Sequence, residues 1–513
     1  MALFENMLIL VLVAVGLLHV SRRLNIPYPT MLALSGVLVA TLPWTPVIEI
    51  DPQLALALFI APALFDAAYD FSPRALKSNW KPLLALAAFA VVITTAAVAW
   101  VSMALAGLPL AAAIALGAIV APPDAAAATA VLARFSLPRR TIAVLKGESL
   151  FNDALALLIL GAAISLSSQA EVSRNQLSMI LIAAPGGIAL GIGFALVYVR
   201  IAPSFAGTLG SRLLEFVATF GVWVIAERLH LSAILCIVAF AMGVARYFPE
   251  RQSARDRVHS YAVWEAAVFV LNVLAFLLMG LQARAILMGL NAAEAWQALA
   301  FAGVVLATVV LVRIAWVLLF NRAMYRGTHM AGGPDAPSFA QACIVSWCGM
   351  RGVVTLAAAL YLPTDFPGRD LIVLGSLAVV LGTLIGQGLT LGPLIRFLEV
   401  QPDTSFEAEV ATTRAVLLDA ALDHLSGENG AAAVHLRDIY RAKRAAVAPH
   451  DSRRSAGEVD QLRRSVLDEM RTALAGIRRT GGIEDDVFQA VQEELDWAEL
   501  AASSPGQLQL EET

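Results

Sequence analysis

Long apolar stretches recur along the first 400 residues of the chain, separated by short polar segments. A helix needs about 17 to 25 mostly apolar residues to cross a bilayer. Counting stretches of this length predicts thirteen membrane-spanning helices. We number them spans 1 to 13, near residues 5–20, 29–44, 53–69, 82–105, 110–133, 147–167, 177–200, 212–227, 231–247, 262–282, 296–320, 338–361 and 371–398.

The pattern changes near residue 401, where the chain becomes charged and its apolar positions recur at helical spacing. Breaks are expected at Gly427 to Gly430, near Pro449 and at Gly481 and Gly482, which divides this part into about four short amphipathic helices. We therefore expect a membrane domain over residues 1–400 and a helical cytoplasmic domain over 401–513. The second domain is either regulatory or dimer-stabilising, or a solvated appendage.

Composition agrees with a polytopic membrane protein built only from helices, since 59% of the 513 residues are apolar and 15% are charged. The mean hydropathy is +0.73. The bilayer is the expected environment, and nucleic acid is not an expected partner. No cofactor is expected, because the charged tail contains no phosphate-cradling glycine loop.

Basic residues between the spans predict the orientation of the chain. Loops after odd-numbered spans hold most of the arginines and lysines, whereas those after even-numbered spans hold only Arg174, Arg228, Arg284 and Arg369. By the positive-inside rule the N-terminus lies outside and the C-terminus in the cytoplasm. We expect a multi-pass protein of the cell membrane.

Span 5 contains an acid beside a predicted helix break. Pro122 and Pro123 remove two backbone donors immediately before Asp124. Unpaired backbone at membrane depth is tolerated only where protein or a water-filled cavity satisfies it, and a buried charge costs ~2.5 to 3.5 kcal/mol even on lenient scales. Asp124 is therefore a candidate ion ligand. The alternative is a proline kink with an incidental aspartate bonded to the freed amides.

Span 6 places Ser149, Asn152 and Asp153 on one helical surface. Asn152 follows Ser149 by three positions and Asp153 follows it by four, and residues at these spacings are neighbours on a helix. Hydroxyl, amide and carboxylate oxygens are hard ligands that suit a small alkali cation or a proton. If Asp124 faces Asp153, repulsion and desolvation favour a proton on one of them. A site that chooses between a cation and protons is a minimal exchanger, with Na⁺ or K⁺ expected at Asp124, Ser149 and Asp153.

Span 12 carries Arg351 between Gly349 and Gly352 with no acid nearby in the sequence. A guanidinium has only donors and cannot bind a cation, so we expect a structural ion pair, with Glu148 as partner. The glycines permit local unwinding, and spans 5 and 12 are predicted to be paired broken helices of two inverted repeats. Arg313 in span 11 is expected to meet an acid from another span.

Two motifs resemble those of sodium/proton exchangers of the NhaP and NHE type. Residues 147–154 read Gly-Glu-Ser-Leu-Phe-Asn-Asp-Ala, and residues 349–354 read Gly-Met-Arg-Gly-Val-Val, similar to the family's Gly-Leu-Arg-Gly-Ala-Val element. Weaker similarities are Trp264 and Glu265 followed by Asn272 and Gly280, and residues 387–391. The resemblance covers the whole membrane part in the right order.

The resemblance implies a homodimer of thirteen-helix subunits, each with a six-helix core that moves by elevator-like alternating access. It implies that Asp153 carries the cation and the proton, that Asp124 and Ser149 help to coordinate the ion, and that Asn152 marks electroneutral exchange serving pH homeostasis. Glu148 and Arg351 would be the stabilising pair of the core. Asp66 falls where the family often has an acid near the ion path.

One departure affects the expected selectivity. Around the acid of span 5 the family usually has Thr-Asp-Pro, but Pro123 and Ala125 flank Asp124 here. Pro123 still offers a backbone carbonyl as a ligand, but the hydroxyl is lost.

Three functions are therefore weighed. The first is exchange of Na⁺, or of Li⁺ or K⁺, for protons, with a K⁺/H⁺ antiporter of the same fold as the alternative. The second is a cation channel with an acidic filter, which would not couple sodium movement to a pH gradient. The third, an intramembrane hydrolase with two aspartates, leaves Asn152 and Arg351 without a role.

Overall fold

The computed structural model describes residues 2–24, 26–40, 51–71, 73–132, 135, 137–167, 174–248, 254–287, 292–331, 338–400, 403, 405–428, 430–446, 465–467, 469–477, 491–492 and 494–499. These residues form helices and connecting turns, and no strand occurs among them. Two compact units are present, residues 1–402 and 403–512.

A helix occupies each of the thirteen predicted spans of the first unit, and spans 5 and 12 each consist of two shorter helices. The helices are α1 (Ala2–Leu24), α2 (Tyr28–Ala40), α3 (52–69), α4 (Pro73–Ser78), α5 (Trp80–Ala106), α6 (Leu110–Val120), α7 (Ala125–Leu132), α8 (Arg139–Ser167), α9 (Arg174–Ile201), α10 (Leu209–Arg228), α11 (Ala233–Tyr247), α12 (Ala254–Leu287), α13 (Ala292–Ala331), α14 (Phe339–Trp347), α15 (Val353–Leu360) and α16 (Arg369–Phe397).

Six stretches of the described helices are long and apolar enough to cross a bilayer: Trp80–Ala106, Arg139–Ser167, Ile182–Phe205, Asp256–Leu278, Trp296–Tyr325 and Arg369–Phe397. Shorter apolar helices are Tyr28–Val39, Leu56–Tyr69, Leu110–Val120 and Ala233–Tyr247. The total of thirteen crossings therefore stays a prediction.

Local sequence explains several helix ends. Ser338 begins α14 with a capping box, in which its hydroxyl accepts from the Gln341 amide and the Gln341 side chain accepts from the Ser338 amide. The Ser232 hydroxyl caps α11 by accepting from the Leu235 amide. Gly107 ends α5 with φ +61°, a conformation that L side chains rarely adopt.

Helix packing produces two large buried groups that bear on the site. One lies among α5, α6, α8, α13, α15 and α16 and includes Leu116, Leu160, Val305 and Val379. The other lies among α3, α9, α10, α11 and α12 and includes Phe65, Trp223, Phe240 and Trp264. A third buried group packs α2 and α7 against α12 and α16.

The second unit contains a helical pair, α17 (Ser405–Ser426) and α18 (Ala431–Ala446). Arg444 Nε donates to Asp419 Oδ1 at 2.8 Å across this pair. The break between the helices falls at the predicted glycine-containing segment. The other two predicted breaks, near Pro449 and at Gly481 and Gly482, lie outside the described residues.

Candidate functional site

The breaks of spans 5 and 12 meet each other inside the first unit. α6 ends at Val120 and α7 begins at Ala125, while α14 ends at Trp347 and α15 begins at Val353. Across this crossing the Asp124 amide donates to the Met350 carbonyl at 2.7 Å. Two helix carbonyl ends and two helix amide ends are thereby gathered at one point, as the paired broken helices predicted from the prolines and glycines require.

The Asp124 carboxylate lies against both amide ends. Its Oδ1 accepts from the Ala126 amide at 2.9 Å, and the Ala127 and Val353 amides also donate to the carboxylate. These amides belong to the first turns of α7 and α15, where unpaired N–H groups carry partial positive charge. The negative charge of Asp124 thus compensates the partial positive charge of two helix ends. The carboxylate therefore has a structural function in addition to any ion that it binds.

Gly352 is required by this arrangement for steric reasons. A Cβ atom built at Gly352 would overlap the Asp124 carboxylate, although its φ of −142° is one that any residue adopts. Gly352 therefore allows the close approach of the Asp124 carboxylate to the backbone beside Arg351.

We predict that Gly352→Ala destabilises the protein by roughly 1 to 3 kcal/mol or more, the usual cost of overpacking, and lowers transport. Gly386→Ala is the matched control, because a Cβ there would meet open space. Thermal unfolding of the two purified variants measures the difference, and equal melting temperatures would show that the Asp124 carboxylate does not pack against Gly352.

Arg351 lies at the carbonyl end of α6. Its Nε donates to the Val120 carbonyl at 3.0 Å and its Nη2 to the Ala121 carbonyl at 3.2 Å. Nη1 donates to the Gly349 carbonyl, and the backbone amide donates to the Thr383 hydroxyl at 3.0 Å. Because these carbonyls carry the negative end of the helix dipole, the guanidinium neutralises them.

Glu148 is paired with Arg313, and the predicted pair of Glu148 with Arg351 is wrong. Arg313 Nη1 donates to Glu148 Oε1 at 2.6 Å and Nη2 to Oε2 at 3.1 Å, with side-chain exposures of 3% and 1%. The physical reason is that the carbonyl end of α6 already engages the Arg351 guanidinium, whereas Arg313 approaches Glu148 from α13. The expectation that Arg313 meets an acid from another span is confirmed.

Asp153 lies one turn along α8 from Ser149 and is 4% exposed. Among the described residues no hydrogen-bond donor reaches its carboxylate, in contrast to that of Asp124. It borders a cavity of about 10 Å³, roughly the space that one water molecule requires. The other lining residues are Ala118, Ile119, Pro122, Ala156, Leu157, Leu160, Val354 and Ala358. A buried carboxylate without donors, facing a small cavity, is equipped to hold a proton or a bare cation.

Asn152 joins α8 to the break in span 5. Its Nδ2 donates to the Pro123 carbonyl at 3.2 Å, while its Oδ1 is buried without a partner among the described residues. The Pro123 carbonyl, expected as a cation ligand, is therefore already a hydrogen-bond acceptor, although a carbonyl has a second lone pair.

Two predicted site residues remain, Ser149 and Asp66. Ser149 is partly buried on α8. Asp66 lies on α3 and borders a different cavity, of about 30 Å³, together with Glu215, Ser260 and Trp264. The sequence offered no partner for Arg313 and no role for Thr383, because both contacts join residues far apart in the chain.

Comparison with known proteins decides the family. Residues 8–397 match the sequence profile described as "Sodium/hydrogen exchanger, transmembrane". The chain belongs to the sodium/hydrogen exchanger family. Exchangers and antiporters are transporters, so the intramembrane hydrolase is excluded.

Several exchangers resemble the chain over most of their length. An uncharacterised Na⁺/H⁺ exchanger of Mycobacterium tuberculosis is 30% identical over 525 residues, covering 94% of this chain and 93% of its own. A sodium, potassium, lithium and rubidium/H⁺ antiporter of Bacillus pumilus is 29% identical over 468 residues, with coverages of 84% and 68%. The Na⁺/H⁺ antiporter ApNhaP of Aphanothece halophytica is 27% identical over 520 residues, covering 96% of both chains.

A solved exchanger has the same fold. The sodium proton antiporter MjNhaP1 of Methanocaldococcus jannaschii superimposes with a TM-score of 0.61 at 19% identity, covering 78% of this chain and 99% of its own. The predicted fold class, an all-helical membrane protein with broken helices, is confirmed.

Proposed function

We propose that this exchanger is a secondary antiporter that moves Na⁺, or Li⁺ or K⁺, against protons through Asp153. The observation that carries the proposal is the Asp153 carboxylate, buried at the helix crossing, bordering a cavity and without a donor among the described residues. Cation and proton compete for this carboxylate, and exposing it alternately to each side couples the two fluxes.

Four other groups complete the proposed site. Ser149, one turn before Asp153, supplies a hydroxyl oxygen, and the Pro123 carbonyl supplies a second neutral ligand. Asp124 contributes negative charge close to Asp153 while it compensates the helix ends. The unpartnered Oδ1 of Asn152 is a further oxygen at the crossing. Asp66 is proposed as an auxiliary acid on the route to this site.

The transport cycle is proposed to be electroneutral and elevator-like. A single carboxylate without a donor exchanges one cation for one proton, and Asn152 beside it adds no charge. The elevator-like movement is proposed from the resemblance to exchangers of the NhaP and NHE type. We further propose a homodimer in the cell membrane, with the N-terminus outside, that serves pH homeostasis.

The charged tail is proposed to be a separate cytoplasmic domain. Its helices carry exposed apolar residues, including Val416, Leu417, Val434 and Leu436. These residues support a regulatory or dimer-stabilising role of residues 401–513 over a solvated appendage.

Potassium is a second candidate cation for a specific reason. Pro123 and Ala125 replace the threonine and proline that usually flank the acid of span 5. The threonine hydroxyl, which could have been a ligand of the cation, is therefore absent. The Bacillus pumilus relative is named for sodium, potassium, lithium and rubidium. We therefore expect broad selectivity among alkali cations.

Collapse of a pH gradient in sealed everted vesicles tests the function and identifies the ion. Sodium, lithium and potassium are added in turn to vesicles with and without the protein. Antiport predicts that at least one cation collapses the gradient. Electroneutral antiport predicts in addition that the rate does not change when the membrane potential is clamped at zero. Cation uptake without proton movement would instead support the channel, and no response to any cation across a pH series would overturn the antiporter.

A further inference from the structure

Gln387 on α16 is a buried amide that the proposed transport site does not use. Its side chain is 3% exposed, and neither Oε1 nor Nε2 has a partner among the described residues. An amide that leaves water without replacing its hydrogen bonds is unfavourable, and more so in a membrane domain. An apolar residue of similar size would avoid this cost, so the amide needs a partner.

The neighbours of Gln387 on α16 define the direction in which it faces. Thr383 and Thr390 lie four and three residues away and therefore share its helical face. The Thr383 hydroxyl accepts from the Arg351 amide at 3.0 Å, and the Thr390 hydroxyl accepts from the Trp347 indole at 2.8 Å. Gln387 thus faces the segment that joins α14 to α15.

That segment presents carbonyl oxygens to which no described residue donates a hydrogen bond. The Ile344 carbonyl accepts from the Cys348 amide at 2.8 Å, and the Val345 carbonyl accepts from Arg313 at 3.1 Å. Described residues donate no hydrogen bond to the carbonyls of Trp347 and Cys348. The unpartnered amide of Gln387 and these carbonyls therefore lie on facing sides of α16 and of the segment that joins α14 to α15, as the described residues place them.

We propose that Gln387 and the carbonyl end of α14 bind water, forming a buried hydration site at the helix crossing. A buried water makes about three hydrogen bonds, and it can accept from Nε2 while it donates to a carbonyl. The site is separate from the Asp153 cavity, whose lining does not include Gln387. It does not depend on which cation is exchanged.

Pulsed X-ray hydroxyl-radical labelling of the intact protein tests this site. Radicals formed from a bound water react with adjacent side chains before they diffuse away, and sulfur is the most reactive target. A Cβ atom built at Gly388, the residue after Gln387, would lie 3.5 Å from the Met350 sulfur, yet Met350 is only 1% exposed. We expect Met350 to be oxidised far faster than Cys236, which is 0% exposed and packed among apolar residues. Oxidation of Met350 no faster than that of Cys236 would overturn the proposal.

The Gln387→Leu variant tests whether the Gln387 amide holds the water. We expect the variant to lose the rapid oxidation of Met350, whereas Ser376→Ala, which removes another buried polar group without a described partner from the same helix, should retain it. Unchanged labelling in Gln387→Leu would contradict the assignment. If that variant does not fold, Gln387→Asn shortens the amide by one methylene and should slow the labelling, and the comparison within the wild-type protein remains decisive for the water itself.

Discussion

Replacing Asp153 with asparagine should abolish cation-driven proton movement while leaving a folded protein. Asparagine has nearly the same shape but can neither release a proton nor offer a full negative charge to a cation. No described donor binds the Asp153 carboxylate, so the change breaks no hydrogen bond of the folded state. The measurement is the collapse of a pH gradient in everted vesicles, at matched protein levels, with sodium, lithium and potassium.

The matched control is Asp365→Asn, the same chemical change at an exposed aspartate between α15 and α16. This variant should exchange cations at the wild-type rate. Cation-driven collapse of the pH gradient by Asp153→Asn at the rate of the control would contradict the proposed mechanism. Asp124→Asn should behave differently from both, because it also removes the charge that compensates the amide ends of α7 and α15, and we expect a lower melting temperature as well as lower transport.

Breaking the ion pair of Glu148 and Arg313 should be the most destabilising single change in the described structure. Removing one partner leaves the other as an uncompensated buried charge, at a cost of about 3–5 kcal/mol. We therefore expect Glu148→Gln and Arg313→Met each to unfold at a much lower temperature in detergent than the wild type. The double variant should recover part of the loss, since it leaves no isolated charge.

A double-mutant cycle separates the observed pair from the one expected from the sequence. Coupling between Glu148 and Arg313 should be large, and coupling between Glu148 and Arg351 small, because Arg351 donates to backbone carbonyls of α6 and to Gly349. The reverse order of couplings would restore the pair that the sequence favoured. Arg444→Gln, which removes an exposed pair with Asp419, should leave the melting temperature unchanged.

Properties that depend on neighbouring residues were predictable from the sequence. The apolar stretches located a helix in every predicted span, because span length and helical periodicity are local features. Pro122 and Pro123 predicted the break in span 5, and Gly349 with Gly352 predicted the break in span 12, because each set acts on the backbone where it stands. The motifs around Asp153 and Arg351 together indicated the family.

Only the tertiary structure decided which charges meet. Glu148 and Arg313 are 165 residues apart in the chain, and two arginines, at positions 313 and 351, were equally available in the sequence. The fold directs Arg351 to the carbonyl end of one half-helix and Asp124 to the amide ends of two. It leaves Asp153 facing a cavity, with no donor among the described residues. Sequence determined where the membrane helices and their breaks lie, whereas these pairings depend on how distant helix ends approach, which local patterns do not encode.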